Sequence, residues 1–173
     1  MSNNTQGCCS CGSNCCAPKQ EKKKILIEFL YLDLNVCERC QGAEKNLDEA
    51  MDEVSGVLKA AGFEIAVNKI NVASKELAAK HRFISSPTIR INGKDIELEV
   101  RESACRDCGD LCGEDVDCRV WVYDGIEYTE PPKALIVNAI LKEVYGDQKT
   151  GPVKKEEYRL PNNLQVFFNG LNK

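Results

Sequence analysis

The segment ILIEFLYL (Ile25 to Leu32) is apolar, β-branched and aromatic on both of its alternating faces, as a strand in the middle of a sheet must be. Downstream, Leu47, Ala50, Met51, Val54, Val57, Leu58 and Ala61 recur at the three-four spacing of a helix face, and Gly62 stops the run. Between strand and helix stands Cys37-Glu38-Arg39-Cys40. A cysteine at that junction sits over the free N–H groups of the first helical turn, whose partial positive charge favours thiolate over thiol. The second sulfur follows one turn later, within disulfide reach. Glu38 opposes a thiolate at Cys37 and Arg39 favours it, so the helix end decides the sign and the Cys37 pKa is expected below that of a free thiol.

Sulfur is what sets the rest of the chain apart. Eleven cysteines among 173 residues are an odd number, which cannot all pair within one chain. No apolar stretch precedes a small-residue cleavage site in the first 24 residues, and none approaches the roughly 18 residues of a membrane span. The expectation is a cytoplasmic protein, where dense cysteines mean redox or metal work more often than structural crosslinks. A net charge of −4 argues against nucleic acid as a partner, and no membrane partner is expected.

The cysteines fall into three centres. Residues 1–23 form a tail with Cys8, Cys9, Cys11, Cys15 and Cys16 among Gly, Ser and Asn, expected to be disordered unless ligated. Neighbouring cysteines such as Cys8 and Cys9 bond to each other poorly. The tail therefore reads as a flexible thiol arm, a claw for soft ions such as Cu(I), Zn(II) or trivalent arsenic, or a plain appendage. Cys37 and Cys40 are the second centre. The third is Cys105, Cys108, Cys112 and Cys118, within an acidic insertion spanning residues 99–118.

Between these centres strand and helix alternate. Phe63 to Val72 reads as a second strand, and Ser74 caps a short helix running to about Phe83. Asn92-Gly93 and Asp124-Gly125 each mark a hairpin, and Pro131-Pro132 opens a helix from Lys133 to Tyr145. Residues 146–173 read as a polar tail in which Leu164, Phe167 and Phe168 make one amphipathic turn that docks back on the domain. The expected fold is α/β: a central mixed sheet flanked by helices over residues 24–145, with the cysteine-rich insertion and a second hairpin. His81 is expected at the surface and Trp121 in the core.

A strand ending in Cys-x-x-Cys on a helix, then a second βα unit, Ser86-Pro87-Thr88 entering a hairpin and a closing helix resembles the thioredoxin fold over residues 24–98 and 131–145. With the downstream cysteines and CRVWVYDG, the whole is similar to an uncharacterised bacterial and archaeal thioredoxin-like family catalogued as a domain of unknown function. The resemblance implies that Cys37 attacks disulfides, that Cys40 resolves the mixed disulfide, and that a cis Ser86–Pro87 bond shapes the surface that receives substrate. Ser86, Pro87 and Thr88 would then contact a protein or small-molecule disulfide.

The third centre leaves two readings open. Its spacing, C-x2-C-x3-C-x5-C, matches no common zinc or iron–sulfur pattern. Four sulfurs in one short loop can nevertheless close on a tetrahedral ion. From Asp95 to Cys118 nine acids face Arg101 and Arg106 alone, so thiolates form there more easily with a cation present. Disulfides pinning the insertion, or idle thiols, are the alternative. Two functions follow: a thiol–disulfide oxidoreductase that needs no cofactor, or a protein that binds or carries zinc, copper, arsenite or another thiophilic metal or metalloid without catalysis.

Overall fold

The computed structural model describes residues 23–146 and 157–173. The cysteine tail, including Cys8, Cys9, Cys11, Cys15 and Cys16, lies outside them. Among the described residues the chain builds a four-stranded mixed sheet, a three-stranded antiparallel sheet and five helices.

Strand β1 (Lys23–Tyr31) is central in the first sheet, whose order is β2-β1-β3-β4. It runs parallel to β2 (Phe63–Asn71), with Ile27 beside Val67, and antiparallel to β3 (Thr88–Ile91), with Phe29 beside Ile89. The short β4 (Lys94–Asp95) completes a hairpin with β3 through Asn92 and Gly93, both at positive φ. Edge strand β2 stays largely exposed. Helix α1 (Glu38–Ala60) buries Ala43, Leu47, Ala50, Val54 and Leu58 against Ile25, Ile27 and Phe29 of β1, and α4 (Lys133–Tyr145) joins them with Ile136 and Ile140. Val57, expected on the buried face, is 62% exposed, because Leu58 already occupies that face one residue on. The turn after α1 places Gly62 at φ +86°, where a side chain would be strained.

The insertion is ordered structure rather than a loop. Strand β5 (Arg101–Ala104), helix α3 (Arg106–Cys112) and strand β6 (Asp117–Tyr123) follow one another, and β6 pairs with both β5 and β7 (Ile126–Tyr128). Trp121 on β6 is fully buried. Beside it the guanidinium of Arg119, also fully buried, lies 4.3 Å from the indole centroid and donates to both Asp95 oxygens at 2.8 and 2.9 Å. That pair ties the second sheet to the first.

A second core collects the sulfur. Helix α2 (Lys75–Lys80) is capped by Ser74, whose side chain accepts from the Leu77 N–H at 3.2 Å. The amphipathic turn expected near the C-terminus is a full helix, α5 (Asn162–Gly170), that buries Leu164, Phe167 and Phe168. Those side chains pack with Leu30, Leu32, Val72, Phe83 and Val116 around Cys37, Cys40, Cys105, Cys108, Cys112 and Cys118.

Candidate metal centre

Cys37 is the N-cap of α1, in extended backbone conformation, and its carbonyl accepts the Gln41 N–H at 3.0 Å. Cys105 holds the same N-cap position on α3, so each Cys-x-x-Cys begins where an extended segment turns into helix. Cys118 lies on β6, where Ser103 of β5 pairs with it. Docking the insertion on the end of α1 brings the sulfurs of Cys37, Cys105, Cys108 and Cys118 within 4.8 Å of one another. The Cys118 thiol donates to Cys108 Sγ at 3.3 Å. Cys37, Cys108 and Cys118 have no solvent exposure, and Cys105 keeps 4%.

The two residues between the first pair of cysteines do the joining. The Glu38 backbone N–H, first of the unpaired helical donors, gives its hydrogen to Asp107 Oδ2 at 2.8 Å. Arg39 forks across the two insertion strands. Nη1 donates to the carbonyls of Ser103 (3.2 Å) and Cys118 (3.3 Å) and to Ser103 Oγ (3.1 Å), and Nη2 donates to the Ala104 carbonyl at 2.7 Å. A planar guanidinium can serve four acceptors in this way, which the point charge of a lysine cannot.

The membership differs from the expected set of Cys105, Cys108, Cys112 and Cys118. Cys37 replaces Cys112. Cys112 lies four residues beyond Cys108 at the end of α3, and its sulfur is not among those that approach one another within 4.8 Å. Cys112 instead directs its thiol to the carbonyls of Gly109 and Glu114, each at 3.8 Å.

Cys40 adjoins the cluster without joining it. Its Sγ lies 3.4 Å from Ser86 Oγ, which accepts the Leu32 N–H at 3.1 Å. The Ser86–Pro87 bond is cis. Ser86, Pro87 and Thr88 are buried, and the Ser86 carbonyl accepts the Arg119 N–H of β6 at 2.7 Å. The chain's own insertion thus covers the loop expected to receive substrate. His81, the C-cap of α2, is half-buried and remote in role from the sulfurs: its carbonyl accepts from Arg90.

The four thiols do not titrate alike. Hydrogen bonding from Cys105 above all, with Cys108, Cys118 and Cys40, holds Cys37 well below the usual thiol range. The direction is the expected one, and the neighbouring thiols are its largest cause. Cys105 is also lowered, chiefly by hydrogen bonding with Cys108 and Cys118. Cys108 and Cys118 are pushed up, each foremost by the hydrogen bond with Cys105. Cys40 is pushed up by its hydrogen bond with Cys37 and by burial. The cluster stabilises thiolate at some members by keeping protons on others, so four thiolates together require a cation among them.

The family described as Domain of unknown function (DUF2703) matches residues 25–140. The chain belongs to that family. The matched segment contains Cys37, Cys40, Cys105, Cys108, Cys112 and Cys118 and stops short of α5. No curated protein matches the chain, and no solved structure matches it.

Arg39 and Asp107 are the site residues that sequence reasoning missed. A charged residue inside a Cys-x-x-Cys carries no mark of a partner some 64 to 79 residues away.

Proposed function

We propose that the protein binds a thiophilic divalent cation of the zinc type through Cys37, Cys105, Cys108 and Cys118. The observation that carries this reading is the mutual approach of four buried sulfurs to within 4.8 Å. A tetrahedral zinc thiolate with bonds of about 2.3 Å has sulfur–sulfur edges of about 3.8 Å, between the 3.3 Å of Cys108 and Cys118 and the 4.8 Å that bounds the whole group. Four ligands suit zinc better than arsenite, which takes three, or Cu(I), which is content with two or three. The net −2 charge of such a centre is offset by the N-terminal end of α1 and by Arg39, whose guanidinium touches the Cys118 carbonyl. Ligands buried in a core of apolar side chains suit a structural or storage centre rather than a catalytic one with an open position.

Thiol–disulfide exchange at Cys37 and Cys40 is the second reading. The strand order β2-β1-β3-β4 and the cis Ser86–Pro87 bond beside Cys40 favour a thioredoxin-like origin. Against turnover stand the complete burial of Cys37 and the hydrogen bond from Arg119 to Ser86. An incoming disulfide would have to displace β6 first. Six buried free thiols among the described residues fit a reducing compartment, and a cytoplasmic location is proposed on that ground.

Anaerobic titration of the reduced protein with Co(II), displaced afterwards by zinc, tests the centre. Wild type and Cys112→Ser should develop the intense visible absorption of a tetrahedral cobalt thiolate, and Cys118→Ser should lose it. Equal spectra in the Cys118 and Cys112 variants would show that the ion sits elsewhere.

A further inference from the structure

Cys37 has two sulfur neighbourhoods. It is a corner of the tetrathiolate cluster, and it is the N-cap partner of Cys40 three residues on. Side chains three apart at a helix start lie on one face with Cβ atoms about 5–6 Å apart, and a modest χ adjustment brings such a pair to disulfide distance. Cys40 is the buried thiol that the cation site leaves unused while still acting on Cys37. Cys112, the other spare thiol, is held by carbonyls one turn past Cys108. Cys40 meets Cys37 itself, Ser86 Oγ at 3.4 Å and the Asp33 backbone.

Resting on the tetrathiolate reading, we propose that Cys37 alternates between two exclusive partners, the bound cation and Cys40, so that a peroxide oxidises the Cys37–Cys40 pair and expels the ion. The Cys37 thiolate attacks one oxygen of hydrogen peroxide, the O–O bond breaks, and hydroxide leaves. Cys40 then attacks the resulting sulfenic sulfur, its proton leaves with the departing oxygen as water, and the S–S bond forms. Two cysteines are oxidised by two electrons and one peroxide is reduced. A sulfur in a disulfide no longer carries the charge that ligation needs, so Cys105, Cys108 and Cys118 are left as three ligands where there were four. A thiol reductant reverses the step and restores the fourth ligand. The motif that resembles a catalytic dithiol thereby serves as the release latch of a metal centre.

Zinc-loaded full-length protein is treated with hydrogen peroxide and free zinc is followed with a chromogenic chelator. Wild type and Cys112→Ser should release zinc together, and Cys40→Ser, a near-isosteric change, should bind zinc normally and release it at least about tenfold more slowly. Dithiothreitol should restore binding in the wild type. Trypsin cuts after Arg39, so the disulfide of the oxidised wild type appears as two crosslinked peptides, one carrying Cys37 and the other Cys40. That map decides the matter even if Cys40→Ser does not fold. A map joining Cys105 to Cys108, or Cys37 to a cysteine of the tail, overturns the proposal, as does release from Cys40→Ser at the wild-type rate. Wild type that takes up no zinc at Cys118 overturns the cation site itself, a result distinct from either.

Discussion

Replacing Arg39 by alanine should weaken cation binding without removing a single ligand. The site is assembled from two pieces, Cys37 on α1 and the other three sulfurs on the insertion, and Arg39 is the side chain that spans them. It makes four hydrogen bonds, three of them to backbone carbonyls. Charge-assisted bonds of this kind are worth up to about 1.5–3 kcal/mol each when buried. Arg39 is half-buried and the Ala104 bond faces solvent, so water replaces part of what is lost. A sum of about 2–4 kcal/mol is the working figure, which at 1.4 kcal/mol per decade becomes roughly a 30- to 700-fold loss of affinity. Arg39→Lys keeps the charge but reaches fewer of the acceptors, and should recover only part of the loss. The assay is zinc competition against a chelator of known affinity, read beside amide hydrogen exchange over residues 101–120. Wild-type affinity together with unchanged protection there would refute the claim that Arg39 clamps the two halves of the site.

Two further outcomes follow from the same geometry. Cys108 and Cys118 are raised and hold protons near neutral pH, whereas Cys37 is lowered, so loading must displace about two protons and affinity should rise roughly a hundredfold per pH unit around neutrality. Zinc titrations in weak buffer with a pH indicator check this, and affinity independent of pH would contradict the assigned protonation. Phe167, 1% exposed, roofs the sulfur core, and Phe167→Ala should cost about 3–5 kcal/mol and loosen α5. Alkylation of the ion-free protein by a maleimide, followed by mass, should then speed up at Cys37 and Cys118; an unchanged rate would show that α5 is no barrier.

Local pattern sufficed wherever a signal and its meaning lie within a few residues. The strand from Ile25, the Cys37 N-cap, the Asn92-Gly93 turn and the helix after Pro132 each follow from side-chain periodicity, backbone freedom or capping, all short-range effects. The insertion was harder to read, because its apolar residues are few and its cysteines bury without the alternation that marks a strand or the stripe that marks a helix. Which sulfurs meet is a different kind of fact. Cys37 and Cys118 are separated by most of the domain, and only the docking of β5, α3 and β6 on the end of α1 brings them together. Cys112 looks equivalent in spacing and is set aside because its thiol turns to the carbonyls of Gly109 and Glu114. Composition and periodicity determined that this chain has a sheet, a capped dithiol helix and sulfur to spare. Tertiary packing decided that the dithiol is buried, that Arg39 closes a clamp, and that Cys37 and Cys118 meet the Cys105–Cys108 pair in one buried cluster, because distances between elements are set by how their faces fit and not by their order along the chain.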